Sequence, residues 1–434
     1  MPATDLTKPG GPAAGLAVLI AALGTAPVAV GADEILERPL IIHQVAADPG
    51  DSDRFYAITS NMGVFASVDG GRRWAHANRG LRSFTHHALL AAPRAGMEAV
   101  LLAGGWGGGV SISVDRAATW SERNGDLPNT AIDALAIDPT DGETWYAAAS
   151  TDVYRSRDGG AHWEGFGQGL PPLSEAVGYK SLAIEPSPSG RIWLGTEGGL
   201  FRRERGGARW MRDPDLGSAR VTTVVCDPRD GRVLVGTIKQ GIHVKTGRAW
   251  RRIGDPEWFV SRVVPDSRDP ARVYASTRGA GVFASSDGGT TWTPVGGGVL
   301  DPDVRSLAVH PADPSRLVVG TTAAGWYYSH DRGETWHASE PVAPLTMSGI
   351  VAMLDARAHS AAPTAAPPGF AKCNRCHGWT DEPLNGKHTY WRMPPNARDW
   401  APTVDRMAQR AELTPAERAA VIRYLSAYSR TRRP

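Results

Sequence analysis

The sequence predicts an all-β seven-bladed β-propeller followed by a small all-α C-terminal domain, and three observations predict the propeller. A turn motif of the form Ser-x-Asp-Gly-Gly-x-x-Trp recurs along the chain, clearest at Ser67-Val68-Asp69-Gly70-Gly71-Arg72-Arg73-Trp74. The tryptophans that end its copies, Trp74, Trp120, Trp163, Trp210, Trp250, Trp292 and Trp336, are 46, 43, 47, 40, 42 and 44 residues apart, the length of one four-stranded blade. Composition agrees, because 50 Gly, 33 Pro and 15 Trp in 434 residues suit short strands joined by tight turns.

Residues 1–32 read as a signal peptide. Lys8 precedes an apolar run from Gly15 to Leu23, and Val30-Gly31-Ala32 offers a small-residue exit, with cleavage before Asp33. An uncleaved membrane anchor is the alternative, since the apolar character extends close to the length of a span.

The propeller is expected over residues 38–350. Full copies of the motif run from Ser156 to Trp163 and from Ser285 to Trp292; looser ones keep Ser113 and Asp115 before Trp120, and Ser329, Asp331 and Gly333 before Trp336. Two degenerate copies, Gly206-Gly207 before Trp210 and Gly247 before Trp250, lose the Asp. About 25 residues before each Trp stands a break: Asp48-Pro49, Ala92-Pro93, Asp138-Pro139, Glu185-Pro186, Asp227-Pro228, Asp266 to Pro270, and His310-Pro311. Apolar runs flank each break, giving four strands per repeat. In the motif, Gly permits positive φ, and Ser or Asp oxygens accept nearby backbone N–H groups. The Trp returns to the layer between blades. These residues hold blades together and are not catalysts.

These repeats resemble the Asp-box, or neuraminidase-type repeat, propellers over residues from roughly 40 to 345. The resemblance implies the fold. That superfamily includes sialidases, plant-type wall hydrolases, sorting receptors and photosystem assembly factors, so activity has to be argued from a site. No segment matches a sialidase-like arginine cluster with a Tyr/Glu pair, and the arginines are scattered. Paired carboxylates across the axis are left open by one sequence. His86 and His87 in Phe84-Thr85-His86-His87 read as structural, Gly104 to Gly109 as a wide turn without a phosphate-loop ending, and Cys226 as a small buried hydrophobe.

After Trp336 the period stops. Residues 355–368 are rich in Ala and Pro and read as a linker, and residues 369–434 as a separate small domain. It carries Cys373-Asn374-Arg375-Cys376-His377, in which Cys373 and Cys376 suit two haem thioethers and His377 a proximal iron ligand, so one covalent haem c is the expected cofactor. A zinc site would need a second Cys/His pair, and a thioredoxin-like pair a βαβ setting. For the distal ligand, spacing favours Met407, with Met393 the alternative; Met393 is a short 16 residues from His377, and His388 is closer still. Met393-Pro394 resembles the distal loop of small bacterial cytochromes c, and Trp400 to Met407 resembles a helix of another short c-type group. Thr414, Pro415 and Glu417 open a helix with Ala420, Val421, Tyr424, Leu425 and Tyr428 on one face, which resembles the last helix of class I-like cytochromes. Trp379, Trp391 and Trp400 are either haem-pocket walls or core.

Residues 369–434 hold 12 Lys/Arg against 6 Asp/Glu, about +6, and the remainder is about −4. The basic excess suits either an acidic redox partner or a plainly solvated surface. The whole-chain charge of +2 gives no reason to invoke nucleic acid. The expectation is therefore an exported, periplasmic electron-transfer protein with the propeller as docking scaffold. The alternatives are a protein-binding or assembly factor with an accessory haem, and a propeller hydrolase or oxidoreductase coupled to haem.

Overall fold

The computed structural model describes residues 41–342 apart from 61, 95–96, 150–151, 172–178, 187–189 and 248. Within them, twenty-eight strands form seven four-stranded sheets, each an antiparallel meander with its strands in chain order. No helix occurs among the described residues. The first strands, Ile42–Ala47, His86–Arg94, Ile132–Ile137, Tyr179–Ile184, Val221–Cys226, Val260–Pro265 and Val304–Val309, lie side by side in a closed ring, the last against the first. Seven blades around one channel is the predicted architecture. The signal peptide, the linker and the C-terminal domain lie outside the described residues.

The second strand of most blades is a short apolar run buried along its whole length, as in Phe55–Thr59, Ile192–Thr196 and Leu317–Thr321. It is covered on both faces because a neighbouring blade packs on each, so its pattern does not alternate. Near the end of this strand a glycine lets the next blade close in. A Cβ on Gly195 would lie 2.5 Å from Val221, on Gly236 2.7 Å from Val260, and on Gly320 2.3 Å from Ile42.

The Ser-x-Asp motif forms the turn between third and fourth strands. In blade 1, Ser67 Oγ donates to Asp69 Oδ1 at 3.0 Å and accepts from Gly71 N at 3.0 Å, while Arg73 N donates to the same carboxylate at 2.9 Å. Blades 2, 3, 6 and 7 repeat this arrangement. Every motif Trp except Trp250 then ties its blade to the one before it. Trp120 Nε1 donates to Ala77 O at 2.7 Å, Trp163 to Arg123 O at 2.9 Å, Trp210 to Phe166 O at 2.8 Å and Trp336 to Val295 O at 2.6 Å; Trp292 bonds Ile253 O. Trp74 closes the ring through Ser339 Oγ at 3.2 Å.

The degenerate blades substitute a cation. By strand register, Arg203 in blade 4 and Lys245 in blade 5 stand where the other blades place the motif serine. Arg203 donates to Gly207 O at 2.9 Å and to Phe166 O, with its guanidinium 3.5 Å above the Phe166 ring. Lys245 Nζ lies 4.9 Å from the Trp250 ring centre, directly across the ladder. Cys226, as expected, packs as a hydrophobe beside Val221, Val224 and Val233, and burial pushes its thiol well above its usual range.

Candidate site at the mouth of the channel

Every first strand carries a β-bulge beside its first residue. The skipped residues are His43, His87, Asp133, Lys180, Thr222, Ser261 and Arg305. A bulge frees one residue from the ladder and re-aims it. Because the seven strands begin at the same end of the channel, their bulges form one polar ring there. Antiparallel pairing brings the turns between second and third strands to the same end, which adds Ser60, Trp106, Glu197, Arg278 and Thr322.

One arc of the ring is aromatic. His43 and His87 lie 4.8 Å apart between ring centres, and His87 stacks on Trp106 at 4.7 Å with 16° between planes. Trp106 Nε1 donates to Asp133 Oδ1 at 3.1 Å, and His43 Nε2 is 2.9 Å from Ser60 Oγ. Burial, followed by the charges of His87, Arg305, Arg278 and Arg262, holds the His43 imidazole near a pKa of about 3. It is neutral at ordinary pH.

The arc across blades 6 and 7 is cationic. Arg305 Nε donates to Thr322 Oγ1 at 2.9 Å; Arg278 reaches Asp303 only at 3.9 Å and lies over Phe259 at 4.6 Å. Arg262, half-buried one residue past the bulge of blade 6, makes no hydrogen bond or ion pair among the described residues, and burial pulls its guanidinium down to about 10. In other blades the residue at this register knits neighbouring first strands together. Gln44 Nε2 bonds Leu89 O at 2.7 Å, Ser181 Oγ accepts Val224 N at 3.0 Å, and Ser306 Oγ accepts Val45 N at 2.8 Å.

The two histidines read as structural divide. His86 is 2% exposed and its titration is pulled down to about 4 by burial, a core residue; His87 is part of the stack at the mouth. The stretch Gly104 to Gly109 is a tight hairpin turn presenting Trp106, rather than a wide one. The arginines scattered in sequence are gathered in space, which a local reading has no means of finding. The haem residues Cys373, Cys376, His377, Met407 and Met393 lie outside the described residues. Among the described residues no three His, Cys, Asp or Glu side chains are grouped as a metal site, and no helix is long and apolar enough to cross a membrane.

Residues 327–338 match the BNR/Asp-box repeat. That segment is the third and fourth strand and motif turn of blade 7. A xyloglucanase of Paenibacillus sp. is 31% identical over 218 residues, covering 44% of this chain and 19% of the relative. The GH74 xyloglucanase of Xanthomonas campestris superposes with a TM-score of 0.57 at 18% identity, over 68% of this chain and 52% of that structure. The extracellular domain of a one-component system of B. thetaiotaomicron gives 0.53 at 14% identity, over 67% and 38%. The chain thus spans about half of the xyloglucanase structure and a fifth of the curated relative, and the structural likenesses establish the fold. They also correct the expectation of an electron-transfer protein. What part of the chain is similar to in sequence is a xyloglucanase, not an electron carrier.

Proposed function

We propose that this chain is an exported ligand-binding scaffold whose ligand seats on the ring at the mouth of the channel. The observation that supports the reading is the repetition of one bulge in all seven first strands, which frees one residue of each from the ladder at the same end of the channel, two histidines, an aspartate and an arginine among them. Small-ligand sites usually combine an apolar and aromatic lining with a few placed polar groups.

Hydrolysis of a glycan like that of the xyloglucanases is the second reading, favoured by the 31% identity. Glycoside hydrolysis needs a carboxylic acid kept protonated beside a second carboxylate. Carboxyls whose titration is displaced downward, such as Asp69, Asp115 and Asp287, belong to motif turns remote from the mouth. Of the carboxylates at the ring, Asp133 is engaged by the Trp106 indole and Glu197 by Arg220 at 3.3 Å. Binding is therefore the better reading.

A thermal-shift screen of the full chain against xyloglucan oligosaccharides, uronate-bearing saccharides and inorganic oxyanions tests it. The expected result is a stabilising ligand whose effect disappears in Trp106→Ala, with no reducing ends released. Release of reducing ends, or ligands indifferent to Trp106→Ala, would overturn it.

For residues 369–434 the proposal is an accessory haem c, with thioethers at Cys373 and Cys376, His377 on the iron, and Met407 ahead of Met393 as the opposite ligand. The bound group would supply a redox-active iron. A pyridine haemochrome spectrum that is present in the full chain and lost in Cys376→Ala is the expected outcome.

A further inference from the structure

We propose that the propeller has a built-in seam at the junction of blades 4 and 5, where the outer halves of the two blades part in the native state while their first strands stay joined. The ring then works as two arcs, blades 1–4 and blades 5–7. This holds whatever the channel mouth binds.

Three observations carry it. First, the bond that ties each of the other junctions is missing here. The acceptor of every other motif indole is the residue three positions after the motif Trp of the preceding blade: Ala77, Arg123, Phe166, Ile253 and Val295 through the carbonyl, and Ser339 through the hydroxyl. By the same count Trp250 would bond Asp213, yet its Nε1 is buried with no hydrogen-bond partner among the described residues. The turn before it supplies the cause. Six residues separate Ser67 from Trp74 but only four separate Lys245 from Trp250, so the hairpin closes at Thr246 and Ala249 and holds Trp250 in the ladder opposite Lys245.

Second, the walls that meet at this junction are polar and unmatched. Arg202 lies across the ladder from Trp193, whose ring meets that of Trp250 at 5.8 Å and 81°, so the two blades touch there through rings. Arg202 Nε, Asp213 Oδ2 and His243 Nδ1 are buried without a hydrogen-bond partner among the described residues, and Arg202 approaches Asp213 only to 3.7 Å. Buried polar atoms left unpaired raise the free energy of the closed junction, and parting the blades hydrates them.

Third, the braces on either side point away from the seam. Arg203, which replaces the lost turn motif of blade 4, reaches back to Phe166 of blade 3, and Ile253 of blade 5 accepts Trp292 of blade 6. On the channel side Ser181 Oγ accepts Val224 N at 3.0 Å, which keeps the first strands of blades 4 and 5 together. Local opening starts where satisfied contacts are fewest.

Thiol labelling of the full chain tests the seam. Val233 and Val273 begin the second strands of blades 5 and 6 and are 2% and 0% exposed. Val233 packs with Trp193 and Leu216 at the junction of blades 4 and 5, Val273 with Leu234 and Ile253 at the next one. Cys226, the ladder partner of Val233, is first replaced by Val in both variants. Val233→Cys is then expected to react with a neutral alkylating reagent about tenfold or more faster than Val273→Cys under native conditions, read by peptide mass. Equal rates would overturn the proposal. A second comparison does not depend on either cysteine variant folding. Trp163→Phe breaks the indole bond to Arg123 O at 2.9 Å, whereas Trp250→Phe has no such bond to break. In urea unfolding the folding equilibrium constant should fall about fivefold further in Trp163→Phe than in Trp250→Phe. A loss in Trp250→Phe as large as in Trp163→Phe would show a junction as well tied as the others and overturn it too.

Discussion

The guanidinium of Arg203 shows how one side chain can replace a lost turn motif. Where Ser67 and Asp69 hold the blade 1 turn by short local bonds, Arg203 spans from its own turn at Gly207 to Phe166 of the preceding blade and covers that ring. A buried guanidinium over an aromatic face is costly to delete, because the ring contact and the Gly207 carbonyl's donor are lost, although Phe166 O keeps the Trp210 indole. Arg203→Ala should lower the stability of the chain by about 2–4 kcal/mol in urea unfolding. Arg203→Lys should recover little of it, since an ammonium cannot reproduce the fork. The sequence displays the missing Asp at Gly206-Gly207, but not the substitute. Arg203 gains its role from strand register and from a ring 37 residues away.

At the scale of the strand and its turn, five blades share a device that sequence reading passed over. Thr59, Thr196, Thr237, Thr277 and Thr321 end their second strands buried, and each donates its hydroxyl to the carbonyl of a glycine at the following turn. The signal was present in strings such as Val235-Gly236-Thr237 and Val319-Gly320-Thr321, but one Thr followed by one Gly is common in any chain. Only its recurrence at one register makes it a motif. In blade 7, Thr321 Oγ1 donates to Gly325 O at 3.0 Å and accepts from Ala324 N at 3.0 Å. Thr321→Val keeps the shape and the backbone bond from residue 321 N to Gly325 O but leaves Ala324 N unpaired, and is expected to cost about 1–2 kcal/mol in chemical denaturation. The bulges belong to this scale too. A period-two strand pattern read from Ile42-His43-Gln44-Val45 does not announce that His43 drops out of the ladder, because the bulge depends on the partner strand.

Across the propeller, no strand among the described residues is shared between first and last sheets, and closure there runs through side chains and turns: Val45 N to Ser306 Oγ, Trp74 to Ser339, Glu340 N to Arg72 O, and Arg316 with Asp53. Stability over pH follows from histidines buried in this body. Burial pulls His43 to about 3 and His86 to about 4, and lowers His243 and His310 as well. In the unfolded chain these groups take up protons near 6.5. Below that value the unfolded state binds protons the folded state refuses, so the fold is most stable above pH 6.5 and weakens as pH falls toward 4. The slope is about 1.4 kcal/mol per pH unit for each fully excluded proton. The urea midpoint should drop between pH 7.5 and pH 5, and His86→Gln should flatten that dependence. A midpoint independent of pH over this range would contradict the assignment.

Taken by itself, the sequence determined the number of blades, their boundaries and the chemistry of the turns, because each of these is settled within about 45 residues by hairpins that fold on local bonds. It also supplied the expectation of a covalent haem at Cys373 to His377, a motif that does not name the work of the propeller beside it. The tertiary structure decided the site. His43 and Arg305 are 262 residues apart in sequence, and Arg262 and Trp106 belong to different blades. They become neighbours only when seven first strands close around one axis and each bulge turns its residue to the same end. No local pattern encodes that coincidence, since it arises from closure of the ring.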